Sequence, residues 1–400
     1  MKKSFAGRLT ALVLALSILT ISIACKTSTT NNKPNGVNKE YDRNWEKFKI
    51  RENLTTQNLV EEMEIGINLG NTLEACGDWI DNSHINNYIR AWGSPVPTEE
   101  MIAGYAKAGF SSLRIPAAWS NMMQLDGYII HPDLFEMVEN VVNWTIDNGM
   151  VALINLHWDM GWLSGLPTKH DEVMERYIVI WRQISERFRD YGDRLMFENM
   201  NEVGFDDIWT PWRGSPGMKK RAFDLVNELN QVFVDTVRAS GGNNEGRHLL
   251  INVYNTGLEY AYDPLFKMPN DPANRMAASV HYYTPAVFAI LDKDADWGKA
   301  RETWGTASDL KELNDNMDKL KMNCVDKGIP VIIGEFAACG DNKTSGMKHL
   351  YALSVMEAVY SRRMCPMLWD TPGGEYDRYE YELWSPEFEE AIGKIAENKR

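Results

Sequence analysis

Two short runs in this chain end in groups that an apolar strand does not ordinarily carry. The first, Met196-Phe-Glu-Asn-Met-Asn-Glu-Val203, starts as a brief hydrophobic strand after the charged turn Tyr191-Gly-Asp-Arg194 and finishes in Glu198, Asn199, Asn201 and Glu202. The second, Pro330-Val-Ile-Ile-Gly-Glu335, is apolar up to its last residue. Burying an unpaired carboxylate is costly, so acids in such places need a purpose. Two carboxylates opposed across a cleft can cleave a glycosidic bond, one protonating the leaving oxygen while the other attacks the anomeric carbon or activates water. Taken singly, each acid also has a plainer reading, Glu202 as a helix-capping acid and Glu335 as half of an ion pair with Arg114.

Other apolar runs end in a similar way. Arg114 lies within Ser112-Leu-Arg-Ile-Pro116, His157 ends the run 150–157, His281 and Tyr283 end 276–283, and Trp369 ends 365–369. Runs at 63–70, closing in Asn68 and the Gly70-Asn71 turn, and at 248–253 complete the set. Between them lie amphipathic stretches with helix caps and stops. Thr98-Glu-Glu opens one that Ala108-Gly109 ends, and others cover 131–149, 171–191, 217–240, 306–327, 346–362 and 387–397. Continuous apolar strands alternating with helices specify parallel strands buried on both faces. The expected fold is therefore α/β, a (β/α)8 TIM barrel forming a single catalytic domain. A doubly wound open sheet is the alternative, but no GxGxxG turn follows the first strand. In a barrel the C-terminal strand ends share one face, and that face carries the chemistry. Period-2 alternation would send Glu198 and Glu202 to one side and Asn201 to the other. Asn201 and Glu202 serve one site only if the strand ends before them and the backbone turns, which leaves Glu198 deeper in the barrel.

With 44% hydrophobic and 24% charged residues, the chain has the composition of an ordinary globular protein with material for a large core. A net charge of −14 repels phosphate backbones and argues against a nucleic-acid partner, whereas a neutral polymer meets no such barrier. The 14 Trp are unusually many, and the loops after the third, fourth and sixth strands hold Trp158, Trp162, Trp209, Trp212, Trp297 and Trp304. These flat rings either line an open cleft that stacks on sugar faces or pack within the loops. Four cysteines after Cys25, namely Cys76, Cys324, Cys339 and Cys365, permit three disulfide pairings but show no CxxC zinc spacing, so free buried thiols are expected.

The N-terminus reads as an address. Lys2, Lys3 and Arg8 precede an apolar run ending Ser22-Ile-Ala-Cys25, the layout of a secretory signal. A Cys directly after Ala resembles a bacterial lipoprotein processing site, which would make Cys25 the lipidated residue. The expected organisation is a signal peptide at 1–24, Cys25 and a polar tether at 25–45, and the catalytic domain at 46–400. Such a chain would be exported and held at the cell envelope, on its outer surface or periplasmic face, meeting the membrane only through the lipid. Simple secretion is the alternative.

Considered together, Ile67-Asn-Leu-Gly-Asn-Thr-Leu-Glu74, Ala91-Trp-Gly-Ser-Pro95, Leu113-Arg-Ile-Pro116, Asn201-Glu202, His281-Tyr-Tyr283 and Ile333-Gly-Glu335 resemble glycoside hydrolase family 5. The first two are most similar to its subfamily 4, endo-β-1,4-glucanases and xyloglucanases. The resemblance spans about residues 60 to 395. It implies a retaining enzyme with neither metal nor cofactor, with Glu202 as acid/base held protonated by a raised pKa and Glu335 as nucleophile. Arg114 and Tyr283 would hold Glu335 ionised and aimed, and Asn201 would bind the sugar 2-hydroxyl. His157 and His281 would frame that sugar and tune Glu202, and Trp369 would be its floor, with Asn71 and Trp162 at outer subsites. Two positions depart from the family pattern: Val203 follows Asn-Glu in place of Pro, and Trp158 replaces the second His of a pair after the third strand. The implied activity is endo-acting hydrolysis of β-1,4-linked glucan by a monomer. Xyloglucanase, lichenase, mannanase or xylanase specificity, or a non-catalytic glycan-binding lipoprotein, are the alternatives.

Overall fold

A computed structural model describes residues 47–205 and 215–397. The signal at 1–24, Cys25, the 25–45 tether, Trp209 and Trp212 lie outside the described residues. The apolar runs form β1 (Gly66–Asn68), β2 (Ser112–Ile115), β3 (Val151–Asn155), β4 (Leu195–Glu198), β5 (Leu249–Asn252), β6 (Met276–His281), β7 (Val331–Phe336) and β8 (Cys365–Leu368). Each pairs with its sequence neighbours and β8 pairs back with β1, so the eight strands close into a barrel, parallel at its closure. The expected (β/α)8 architecture is the one observed.

Period-2 alternation sorts each strand into two faces. Outward residues such as Ile67, Leu113, Ile154, Phe197, Ile251, Val280 and Leu368 pack with the surrounding helices in one continuous core. A second cluster of Val151, Leu153, Met196, Leu250, Ala277, Ile332 and Met367 fills the barrel interior. Leu59 and Val60, from the helix Thr56–Glu62, join that cluster. The interior positions nearer the C-terminal ends change character. Asn68, Arg114, Asn155, Glu198, Asn252 and Ser279 are all fully buried and polar. Parallel register sets Asn68 level with Arg114, Asn155 with Glu198, and Asn252 with Ser279. Glu335 follows an irregularity in the β6–β7 register that brings it beside His281. Such a bulge re-aims a side chain that regular alternation would have sent toward the helices.

The expected helices appear at Glu99–Lys107, Pro132–Asp147, His170–Arg187, Pro216–Ala239, Ala307–Asn323, Ser345–Tyr360 and Pro386–Glu397. Thr98 caps the first by accepting from the Met101 N–H, and Thr306 with Asp309 forms a reciprocal capping box. Between β5 and β6 the strict alternation fails, because 3-10 turns at Tyr254–Thr256 and Leu258–Tyr262 take the place of an α-helix. Beyond the eight units there is also a two-stranded hairpin, β9 (Tyr376–Asp377) with β10 (Glu382–Leu383), after β8. Among the described residues Cys76, Cys324, Cys339 and Cys365 form no disulfide, the first two and Cys365 being buried.

Candidate active site

Arg114 organises the barrel mouth. Its guanidinium donates through Nε to Glu198 at 2.6 Å, through Nη1 to Glu335 at 2.6 Å and Asn68 at 3.0 Å, and through Nη2 to Asn201 at 2.8 Å. Burial alone would favour losing its proton, but the charges of Glu198 and Glu335 outweigh this and raise the guanidinium pKa. The other oxygen of Glu335 accepts from the Tyr283 hydroxyl at 3.1 Å. Both plain and catalytic readings of Glu335 are thus present in one residue: it is an ion-pair partner and it faces the cleft.

Glu202 stands opposite. β4 ends at Glu198, and the backbone reaches Glu202 in the left-handed region with φ 47°. That conformation is uncommon for a residue with a side chain and clusters at functional sites. It answers the alternation problem, since Asn201 and Glu202 both reach the same cleft after the strand has stopped. His281 Nδ1 lies 2.8 Å from Glu202 and 3.6 Å from Glu335. One carboxylate oxygen of each acid and a His281 ring nitrogen all lie within 4.8 Å of one another. Retaining glycosidases hold their carboxyls about 5–5.5 Å apart, whereas inverting ones leave roughly 6.5–9.5 Å for a water.

The titration of these groups differs from the expected raised Glu202. Burial pushes Glu202 up, but the His281 hydrogen bond and charge outweigh it and its pKa falls. The side chain of Glu202 is 46% exposed against 7% for Glu335. For Glu335 burial prevails and raises the carboxyl against the pull of His281 and Arg114. Burial works against protonation of His281, yet the Glu335 charge and the Glu202 bond prevail and raise it. The opposite shifts of the two partners favour a charged imidazole facing an ionised Glu202. Glu202, His281 and Glu335 also have the donor chemistry of a cation site, but the positive charge facing Glu335 already comes from Arg114.

His157 does not touch this pair. Its Nδ1 faces the Asn155 amide at 3.2 Å, and its ring lies parallel to Trp369 with centroids 5.7 Å apart. Burial, reinforced by the charges of Arg114 and His281, lowers its pKa far enough to keep it neutral. Of the two histidines expected to tune Glu202, His281 is the one that hydrogen-bonds to it. Trp369 is half-buried, and the turn after β1 lies against it. A Cβ on Gly70 would fall 2.6 Å from the Asp370 carbonyl and 3.0 Å from the Trp369 ring. Gly70→Ala should therefore force the turn and the indole apart, lowering kcat/KM on polysaccharide by roughly 10- to 100-fold, the scale of an ångström-sized misplacement. Steady-state kinetics on a soluble glucan would check it; unchanged kinetics would show that this contact does not matter.

Asn71, with φ 55°, is half-buried beside that turn. The Glu74 carboxylate accepts from the Asn71 and Thr72 N–H groups. Burial raises Glu74 to about 7 against those bonds. Trp162 is held as a wall of its loop, with its Nε1 donating to Asp159 at 2.9 Å and the Arg176 guanidinium 4.4 Å over its ring. Trp158 is 54% exposed, and Trp297 is exposed too, whereas Trp304 is buried against Phe288 and Tyr351. Trp304 is therefore loop core rather than cleft lining. Trp79 and Trp384 are exposed and were not singled out from sequence. Also missed were the parts of Asn155, Asn252 and Ser279, all of which donate to Glu198. Their signal was present as polar residues at inward positions of apolar strands.

A closed parallel barrel that opposes two carboxylates across its C-terminal mouth at this spacing defines a barrel glycosidase. The family model for cellulase (glycosyl hydrolase family 5) matches residues 73–373. Endoglucanase B of Clostridium cellulovorans is 34% identical over 322 residues, covering 79% of this chain and 68% of that protein. The xyloglucan-specific endo-β-1,4-glucanase of Bacteroides ovatus is 34% identical over 333 residues, covering 79% of this chain and 65% of that one. Among solved structures, a subfamily 4 broad-specificity endoglucanase from an uncultured bovine rumen ciliate superposes with a TM-score of 0.78 at 33% identity, over 86% of this chain and 98% of that one. The chain belongs to glycosyl hydrolase family 5.

Proposed function

We propose that this protein is an endo-acting β-1,4-glucanase that hydrolyses internal bonds of plant β-glucans with retention. The observation that carries the reading is the opposed pair Glu202 and Glu335, with oxygens within 4.8 Å across a mouth supplied by six strands. Glu335 is the nucleophile. Arg114 and Tyr283 each occupy one of its oxygens, which aims the carboxylate and favours its ionised form. Glu202 is the acid/base. A sugar in the cleft covers its exposed half and strips its water, which favours the neutral acid. The proton passes from His281 Nδ1 to the Glu202 oxygen 2.8 Å away, then to the leaving glycosidic oxygen as Glu335 bonds to the anomeric carbon. Glu202, now ionised, takes a proton from the water that attacks the anomeric carbon, the ester bond breaks to release Glu335 as a carboxylate, and the proton returns from Glu202 to His281.

Asn201 accepts from Arg114 through its Oδ1, which leaves its amide N–H₂ to donate to the 2-hydroxyl. Trp369, held parallel to His157, forms the floor for the same sugar. Asn71, Trp158 and Trp162 extend the apolar and polar contacts outward, consistent with a polymer lying through the cleft. Anchoring at the cell envelope through lipidated Cys25 after removal of residues 1–24 completes the proposal and rests on the N-terminal sequence alone, and monomeric action rests on the family resemblance. The relatives include a xyloglucan-specific enzyme, so branched glucan is the second reading.

Reducing ends released from carboxymethyl-cellulose, barley β-glucan, xyloglucan, mannan and xylan would test this. The expected result is rapid loss of viscosity and new reducing ends from the first two or three, with mannan and xylan poor. No release from any of them would sink the enzyme reading in favour of a glycan-binding protein.

A further inference from the structure

Glu198 is a fully buried anion directly below the reacting pair, and nothing in the proposed steps uses it. One of its oxygens accepts from Arg114 Nε at 2.6 Å and Asn155 at 3.1 Å; the other accepts from Asn252 at 3.0 Å and Ser279 at 2.7 Å. Strands β2, β3, β5 and β6 each contribute one donor, so both oxygens carry two donors apiece. Four donors converging on one carboxyl favour its ionised form, and its pKa is lowered accordingly: Arg114 and the Ser279 bond overcome burial.

The consequence runs through Arg114. One guanidinium charge lies between two carboxylates, each at 2.6 Å. With Glu198 ionised, Arg114 neutralises Glu335 only in part. With Glu198 neutral, the whole charge would bear on Glu335 and weaken it as a nucleophile. Resting on the assignment of Glu335 as nucleophile, we infer that Glu198 is a positioning residue that divides the charge of Arg114 and thereby sets the nucleophilicity of Glu335. The same residue fixes the guanidinium plane that carries Asn201, and through Asn155 it reaches His157. The other groups facing the pair are Asn68 from β1, Asn252 from β5, His281 and Tyr283 from β6 and its end, Glu202 after β4 and Trp369 after β8. Of these, His281 is raised by its carboxylate neighbours and Glu202 is lowered by His281; the His281 charge also helps to keep Glu198 ionised, but neither residue touches Glu198 by a hydrogen bond.

The test compares pH profiles of kcat/KM for wild type, Glu198→Gln, Glu198→Asp and Ser279→Ala on a 4-nitrophenyl cellooligosaccharide. The acidic limb reports ionisation of the free enzyme's essential carboxylate. Glu198→Gln should move that limb down by about one pH unit and lower kcat roughly 10- to 100-fold with KM within about twofold, since only the covalent step loses driving force. Glu198→Asp keeps the charge, so its limb should stay nearer to wild type than that of Glu198→Gln whatever its rate. Ser279→Ala removes a donor from Glu198, strengthens its hold on Arg114, and should shift the limb upward, opposite in sign to Glu198→Gln. A limb that stays fixed in both Glu198→Gln and Ser279→Ala, or that shifts the same way in both, would overturn the inference. Should Glu198→Gln fail to fold, the upward shift in Ser279→Ala decides alone. An inactive wild type would instead refute the glucanase reading on which the comparison stands.

Discussion

Glu335→Ala is expected to abolish hydrolysis of every polysaccharide, with kcat falling roughly 10⁴-fold or more, the scale on which nucleophile deletions act. The fold should survive. The carboxylate sits at the mouth, 7% exposed, and its removal opens a space beside Arg114 and Tyr283 that water can enter. That space has a diagnostic use. Azide can occupy it and attack the anomeric carbon of an aryl β-cellooligosaccharide with a good leaving group, from the face Glu335 vacated. The product would be an α-glycosyl azide, inverted relative to the substrate, and partial rescue with that stereochemistry is the expected outcome by NMR. Full activity in the variant would remove Glu335 from the chemistry altogether.

Glu202→Ala should behave differently, because its two tasks depend on the substrate. On polysaccharide, where the leaving group is a sugar hydroxyl, loss of the acid should lower kcat/KM by about 10²- to 10⁴-fold, the usual worth of general acid catalysis. On a 2,4-dinitrophenyl cellooligosaccharide, whose leaving group needs no proton, the first step should proceed near the wild-type rate. The glycosyl-enzyme would then accumulate, since no base remains to activate water, and a burst of dinitrophenol would precede a slow steady state. Azide should release this intermediate as the β-glycosyl azide, with retained configuration. The two variants thus give azides of opposite stereochemistry from the same cleft. A Glu202→Ala variant impaired equally on both substrates, without a burst, would argue that the residue supports structure and not proton transfer.

The contrast also bears on how much the chain disclosed before its fold was known. The barrel and both carboxylates were legible because apolar runs of strand length ended in polar residues, and only one common architecture collects such ends on one face. Arg114, Asn201, His281 and Tyr283 came with them, and the structure brings Arg114, His281 and Tyr283 to Glu202 or Glu335 and Asn201 to Arg114. The direction of the Glu202 shift was not legible. It depends on His281 lying 2.8 Å away and on a cleft open enough to leave the acid 46% exposed, both products of tertiary geometry. The choice between cleft and loop packing stayed open for Trp304 for a similar reason, since its burial against Phe288 and Tyr351 is set by distant packing. The left-handed turn at Glu202 was legible only as a necessity: alternation could not deliver Asn201 and Glu202 to one site without it. The irregularity that aims Glu335 left no trace in the run Val331–Phe336, because a bulge is a property of two strands and not of one.

A covalent intermediate on Glu335 can be trapped and located directly. Incubation with a 2-deoxy-2-fluoro-β-cellooligosaccharide bearing a dinitrophenyl leaving group should stop the enzyme at the glycosyl ester, because the fluorine slows both steps while the activated leaving group speeds only the first. Mass spectrometry of the intact chain should show one added fluoroglycosyl unit, and peptide mapping should place it on the fragment containing Ile333-Gly-Glu335. Label on any other carboxylate, Glu202 included, or release of dinitrophenol with no label and with inverted product, would contradict it.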